Sequence, residues 1–216
     1  MSWSGRQLAG NWDVLWHYTW LHLRFTVQSL VLGAIVAFVL GYVAYRWRGT
    51  YVPLLGIANA LYAVPSLAMF AILGTFFGIL SDRSLIVAMA IYTLAILLRN
   101  MVEGLRAVSP NVIDASTAMG YRPTRRFLTV ELPLALPAIV AGLRVAAVST
   151  ISILTVGGVI GRGGLGQMFR DGYVRNITIE VWAALVAVVV LALVADALIF
   201  LAGRAATPWT RVRGAR

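Results

Sequence analysis

Few side chains in this sequence could carry out chemistry, and they are not grouped as a catalytic site requires. His17 and His22 are five positions apart, which puts them on different sides of a helix and predicts no metal site. Asp196 stands alone in a long apolar stretch. An acidic residue at membrane depth indicates either a functional site or an ion pair with a buried partner such as Arg. Because paired acids and Ser/His/Asp sets are missing at that depth, we exclude a membrane-embedded enzyme.

A glycine-rich stretch, Gly157 to Gly166, is the other candidate for chemistry, because glycine-rich loops can bind phosphate. It lacks the Gly-Lys-Ser/Thr end of such a loop, and no predicted strand precedes it. Glycines at this density also permit a tight turn, or a re-entrant segment that packs closely on its neighbours. We predict this structural role. We therefore expect the chain itself to bind no nucleotide, no other cofactor and no metal.

The composition places nearly the whole chain in a membrane. The 216 residues are 60% hydrophobic and 12% charged, whereas a soluble domain is about half apolar and about a quarter charged. The sequence therefore predicts an all-α, polytopic membrane protein without a separate soluble domain. Cysteine is absent, which excludes disulfides and thiolate sites. The net charge of +10 comes from arginines in loops beside apolar stretches, which favours membrane topology over nucleic-acid binding.

Five apolar stretches are the predicted transmembrane helices, and they divide the chain into three parts. We expect an N-terminal interfacial segment over residues 1–24, a transmembrane domain over 25–203 and a cytoplasmic tail over 204–216. The first part is rich in Trp, which is typical of the aromatic belt of a membrane interface. The five predicted spans are residues 25–45, 49–80, 84–98, 134–160 and 181–203.

The second apolar stretch, residues 49–80, is too long for one straight span. As a helix it would measure about 48 Å at 1.5 Å per residue, against a hydrocarbon core of roughly 30 Å. Asn59, Tyr62, Pro65 and Ser66 mark the expected break. Broken helices at membrane depth either line a cavity or pack inside protein. We predict that the translocation path passes here, and a packing kink is the alternative.

The longest polar interruption between apolar stretches is a loop over residues 105–133. A short helix is expected from Pro110 to Gly120, because proline favours a helix start and glycine a helix end. Pro123 begins a second short helix, which we expect Pro133 to end. Two short helices in an arginine-bearing loop between spans are typical of a docking surface. An ordinary amphipathic hairpin is the alternative.

The distribution of arginine predicts the orientation of the chain. With five spans and the N-terminus outside, twelve arginines lie on the cytoplasmic side and six on the outer side. Cytoplasmic loops of membrane proteins carry the excess of positive charge. The predicted orientation therefore places the C-terminus and the 105–133 loop in the cytoplasm.

The 105–133 loop also contains seven residues at a recognisable spacing. They are Asp114, Ala115, Ser116, Gly120, Val130, Leu132 and Pro133. Their spacing resembles the EAA motif of permease subunits of bacterial ATP-binding-cassette importers, which reads Glu-Ala-Ala, three residues, Gly, nine residues, Ile, one residue, Leu-Pro. Asp for Glu, Ser for Ala and Val for Ile are conservative departures from that pattern.

The resemblance implies a bacterial cell-membrane transporter with the type I importer permease fold. Two permease subunits, identical or paralogous, would form the pathway, and an extracytoplasmic binding protein would deliver the substrate. Two cytoplasmic ATPase subunits, which bind ATP and magnesium, would dock on the loop. Asp114 and Gly120 would fix the docking helix, by capping it and by turning the chain. The other residues expected to contact the ATPase are three arginines and an apolar anchor, Arg122, Arg125, Arg126 and Phe127.

Several further segments resemble the osmoprotectant branch of these importers, which carries glycine betaine, proline betaine, carnitine or choline. They are residues 63–68, 98–100, 130–137, 141–144 and 160–166. Methionine-type permeases share part of this pattern, so an amino-acid importer stays the alternative, and a stand-alone channel or secondary transporter is a third reading. A quaternary ammonium is held by aromatic faces. Tyr62 and Tyr92 are the tyrosines we assign to the substrate path, beside Asn59, Pro65 and Ser66.

Overall fold

A computed structural model describes residues 12–78 and 81–209 of the chain. Within these ranges the regular structure is entirely helical, which confirms the all-α prediction. Two helical turns of other types, a π turn at Phe127–Glu131 and a 3₁₀ turn at Thr155–Ile160, adjoin α-helices. The α-helices are α1 Trp12–Arg46, α2 Arg48–Ala63, α3 Ser66–Phe77, α4 Asp82–Arg106, α5 Pro110–Ala118, α6 Pro123–Arg126, α7 Leu132–Leu154, α8 Leu165–Val174 and α9 Thr178–Ala206.

Among the described residues, four helical runs are long and apolar enough to cross a membrane, namely α1, α4, α9 and the continuous run over residues 123–160. The α2 and α3 helices together form a fifth apolar stretch, which bends by 100° between Ala63 and Ser66. The expectation of about five spans with a break in the second is therefore confirmed. The orientation, with the N-terminus outside, stays a prediction from the arginine distribution.

The α4 helix is the centre of the bundle, because fourteen of its 25 residues are buried. Small residues let its neighbours approach closely, as is common between membrane helices. A Cβ atom on Gly33 of α1 would lie 2.6 Å from Thr93 Cβ, and one on Gly142 of α7 would lie 2.5 Å from Asn100 Cβ. These contacts hold α1 and α7 close against α4, and Ala37, Leu97 and Ala146 of the three helices pack in one cluster.

The N-terminal part of the chain differs from the expected interfacial segment. The α1 helix begins at Trp12 and runs without a break to Arg46, so the expected division at residue 24 lies inside one helix. The tryptophans near its start are exposed, as expected at a membrane interface; Trp16, for example, is 69% exposed. The placement of His22 at that interface is wrong, because His22 is fully buried in the bundle. Residues 1–11 of the expected segment, and residues 210–216 of the tail, lie outside the described residues.

The prediction that Pro133 ends a helix is also wrong. The α6 helix passes through the π turn directly into α7, and Pro133 lies in the first turn of α7. A proline normally clashes with the carbonyl four residues before it and lacks an N–H for that carbonyl. A π turn directly before it bonds residues five apart instead, so the chain continues as one helical run from Pro123.

Candidate coupling and substrate-path sites

The first short helix of the loop, α5, has the two ends that the sequence predicts. Pro110 occupies its first turn. At its other end Gly120 has φ +80°, the left-handed conformation that glycine adopts without strain. The Gly120 N–H donates to Thr117 O over 2.9 Å, and the Tyr121 N–H donates to Ser116 O over 3.1 Å. This pair of bonds is the Schellman arrangement, which satisfies the last carbonyls of a helix.

One side of the loop faces away from the rest of the chain. Asp114, Ala115 and Arg122 are exposed there. Arg125 is also exposed, and its guanidinium lies 4.7 Å from the centre of the Tyr121 ring. Met119 is 70% exposed beside them. Asp114 lies within α5 rather than at its start, so it does not cap the helix as we expected.

The other side of the loop packs on its own chain. The Ser116 hydroxyl is buried and donates to Val112 O over 2.8 Å. Phe127 is only 6% exposed, and its ring centre lies 4.7 Å from that of Tyr42 on α1. Phe127 therefore anchors the loop to the end of α1 and leaves little surface for a second protein, which corrects the expected role. Leu132 and Pro133 are half-buried beside it.

Arg126 also points inward, unlike the exposed Arg122 and Arg125. Its Nε atom donates to Glu131 Oε1 over 2.6 Å, and its Nη1 atom donates to Thr117 Oγ1 over 2.8 Å. The Glu131 side chain is 1% exposed. Arg126 is therefore used within the chain, where it joins α5 to the π turn. The sequence pattern did not single out Glu131 as its partner.

Two of the predicted path residues line one groove, just before the bend of the broken span. Asn59 and Tyr62 are exposed on α2 and line a groove of about 310 Å³ that faces α4. Asn100 and Arg99 close the other side of this groove. Arg99 also pairs with Glu103 at 3.8 Å, so its charge is partly balanced. The groove offers two amide groups, one aromatic face and the Arg99 guanidinium.

The remaining path residues build the break itself. Pro65 precedes the first residue of α3, Ser66, and lies where α2 and α3 bend. Tyr92 is buried on α4, and its hydroxyl donates to Val64 O over 2.6 Å. This bond satisfies a carbonyl that the break leaves without a helical partner. The Tyr62 and Tyr92 rings meet edge to face with their centres 5.5 Å apart, so Tyr92 positions Tyr62.

His22 is a structural residue that sequence reasoning missed. Its Nδ1 atom lies 3.0 Å from Gly163 O, and its Nε2 atom lies 3.0 Å from Ile151 O. The Ile151 carbonyl lacks its usual helical donor, because the Thr155 N–H turns to Ser152 O where α7 tightens into the 3₁₀ turn. A Cβ on Gly164 would lie 2.6 Å from the His22 N atom. The glycine-rich segment therefore packs directly on α1, as predicted for a close turn.

Known proteins with similar sequences agree with this architecture. The family model described as "Binding-protein-dependent transport system inner membrane component" matches residues 29–212. The choline transport system permease protein OpuBB of Bacillus subtilis (strain 168) is 32% identical over 93% of this chain and 92% of its own length. The glycine betaine/carnitine/choline transport system permease protein OpuCD of the same organism is 31% identical over 89% of this chain and 84% of its own.

A solved structure shows the same fold. One chain of the MetNI methionine ABC transporter, in an inward-facing conformation, has a TM-score of 0.82 and covers 95% of this chain and 100% of its own length. Its sequence identity is 22%, so the likeness concerns the fold alone. Together with the family match over residues 29–212, these findings show that the chain belongs to the binding-protein-dependent transport system inner membrane components, as a multi-pass membrane permease.

Proposed function

We propose that this chain forms the translocation path of an ATP-driven importer for osmoprotectants such as glycine betaine, choline or carnitine. The observation that carries the proposal is the 32% identity, over 93% of the chain, to a choline permease. A second relative is named for glycine betaine, carnitine and choline together. The methionine transporter, at 22% identity, supports only a shared fold.

The proposed assembly contains two permease subunits, two cytoplasmic ATPases and one extracytoplasmic binding protein. ATP and magnesium belong to the ATPases, whose closure turns the pathway outward, and hydrolysis resets it. A separate ATPase is required because the glycine-rich segment of this chain lacks the Gly-Lys-Ser/Thr of a phosphate-binding loop. The second permease subunit is either another copy of this chain or a paralogue.

The exposed side of the loop, which faces away from the rest of the chain, is the proposed docking surface for the ATPase. The coupling helix α5 ends at a fixed turn and has only one buried residue, Ser116, so most of it is free for a partner. Exposed Asp114, Arg122 and Arg125 offer charge, and Met119 offers apolar area. Partly exposed charges next to an apolar side chain are typical of a surface that a protein groove can cover.

The groove beside Tyr62 is the proposed point where the cargo passes the broken span. Trimethylammonium groups have no hydrogen-bond donor, so an aromatic face holds them by cation–π attraction. Tyr62 is 43% exposed and its ring is held by Tyr92. Most of the selectivity is expected to come from the binding protein, because the groove offers a single aromatic face.

Affinity purification of the chain from cells that co-express its ATPase tests the docking surface. Ala115→Trp places a bulky side chain on the exposed face of α5 and is expected to abolish recovery of the ATPase. Ala206→Trp, at the exposed end of α9, is the matched control and should retain it. Equal recovery of the ATPase with both variants would exclude the loop as the docking site.

A further inference from the structure

The docking helix α5 makes few contacts with the rest of the bundle. Only Ser116 is buried among the nine residues of α5, and its hydroxyl bonds within its own helix. Residues 107–109 join α5 to the end of α4. Toward the fourth span, however, movement of α5 must travel through the turn at Gly120 or through side chains. A glycine turn is the most permissive point of a chain, so side chains must supply the rigid connection.

The Arg126 guanidinium supplies such a connection. It bonds Thr117 on α5 at 2.8 Å and Glu131 on the π turn at 2.6 Å. Arginine suits this role because its planar fork holds two acceptors in fixed directions. Glu131 is 1% exposed and Arg126 24% exposed, so water and salt screen this pair less than a surface pair. The bridge therefore spans the Gly120 turn by a second, non-covalent route.

The position of Glu131 determines where a displacement of α5 would go. Glu131 is the last residue of the π turn, and α7 begins at the next residue. A π turn has a wider hydrogen-bond pattern than an α-helix and often marks a functional site. On its other side the turn is fixed to α1 through Phe127 and Tyr42. A displacement of Arg126 would therefore act on Glu131, directly before the first residue of α7. The Phe127 end of the turn stays fixed to α1.

We propose that the Arg126–Glu131 bridge, with Thr117 at its far end, transmits the movement of the coupling helix to the fourth span. Arg126 is a positioning residue, because it acts through the loop rather than on the substrate. When the bridge is broken, the ATPase still docks and hydrolyses ATP, but its closure no longer changes the conformation of the translocation path. This inference rests on the proposed function, since it assumes that an ATPase docks on α5.

The test compares two rates in the whole transporter, reconstituted in vesicles with its ATPase and binding protein. Thr117→Val removes the far acceptor at an exposed site with little change in volume. Arg126→Gln with Glu131→Gln removes both charges, so that no carboxylate stays buried alone. For both we expect the number of substrate molecules imported per ATP hydrolysed to fall about tenfold, which is a usual size for coupling between sites.

Controls separate transmission from folding and from docking. Arg83→Gln makes the same change of side chain at an exposed arginine far along the chain and should leave the ratio unchanged. Arg126→Lys keeps the positive charge and should retain part of the ratio of uptake to hydrolysis. A purely structural role would lower uptake and hydrolysis in proportion, per assembled transporter.

The outcomes distinguish the inference from the function on which it rests. An unchanged ratio of uptake to hydrolysis in Thr117→Val and in the double variant overturns the bridge, while the importer remains. Loss of ATPase recovery in those variants also overturns it, because the bridge would then serve docking. Absence of ATP-driven uptake in the unsubstituted protein overturns the proposed function itself.

Discussion

Arg144 holds Asp196 through two parallel hydrogen bonds, Nε to Oδ1 and Nη2 to Oδ2, each 2.8 Å long. The pair joins α7 to α9, and the Phe200 ring centre lies 5.0 Å from the guanidinium. A lone carboxylate at membrane depth is costly, and a bidentate guanidinium neutralises it with fixed geometry. The pair therefore accounts for the two charges that interrupt otherwise apolar helices.

Breaking this pair should destabilise the chain. Asp196→Asn leaves the Arg144 charge without its partner in the bundle, so we expect the thermal unfolding temperature of the purified protein to fall by several degrees. The double variant Arg144→Gln with Asp196→Asn leaves no unpaired charge and should recover most of the loss. If the double variant unfolds at or below the temperature of Asp196→Asn, the two residues do not act as a pair.

The turn at Gly120 gives a second prediction. A Cβ at this position meets no other atom, so the whole effect of Gly120→Ala comes from its φ of +80°. The left-handed conformation costs a residue with a side chain about 1–2 kcal/mol, and we expect ATP-driven uptake to fall about tenfold. Gly56→Ala, in open space within α2, is the control and should not lower uptake. Equal uptake by both variants would contradict the role of the turn.

His22 gives a third prediction, on stability. His22→Leu removes the donor to Gly163 O or Ile151 O, and a buried carbonyl left without a partner costs about 1–3 kcal/mol. The purified variant should unfold at a lower temperature, and the 157–166 segment should become accessible to protease. His17→Leu changes an exposed histidine on the same helix and should leave both properties unchanged. A normal melting temperature for His22→Leu would show that the contact is incidental.

Tyr62 gives a fourth prediction, on the cargo. Tyr62→Phe keeps an aromatic face and should retain choline uptake, whereas Tyr62→Leu removes a cation–π contact of about 0.5–2 kcal/mol and should slow uptake at least about twofold. The rate is measured at a saturating concentration of loaded binding protein, so that capture by that protein does not limit it. Phe76→Leu, at a site on α3 that is 77% exposed, is the control. Equal rates for the Phe and Leu variants of Tyr62 would remove it from the path.

Features that depend on nearby residues could be read from the sequence. The break beside Pro65 follows from helix length and proline geometry, and the end of α5 follows from a single glycine. An ion pair with an arginine is one of the two interpretations of Asp196 from the sequence, because isolated charges in membrane spans are usually paired. The structure confirms the break and the helix end, and it shows the ion pair for Asp196.

Features that depend on distant residues could not be read in the same way. His22 meets Gly163 across 141 positions, so the sequence near His22 indicated only an aromatic interface. Phe127 lies in an arginine-rich loop, and its burial depends on Tyr42 of another helix. The π turn before Pro133 connects α6 to α7, and the rule that a proline ends a helix does not predict such a turn. Local rules for proline and for surface loops therefore gave the wrong prediction at Pro133 and Phe127.

The central claim is that this chain carries osmoprotectants by an ATP-driven mechanism, and uptake of labelled compounds tests it most directly. Cells that express the whole transporter are supplied with radiolabelled glycine betaine, choline or methionine, with and without depletion of ATP. We predict uptake of glycine betaine or choline that stops when ATP is depleted. Uptake of methionine alone, or uptake that persists without ATP, would contradict the account.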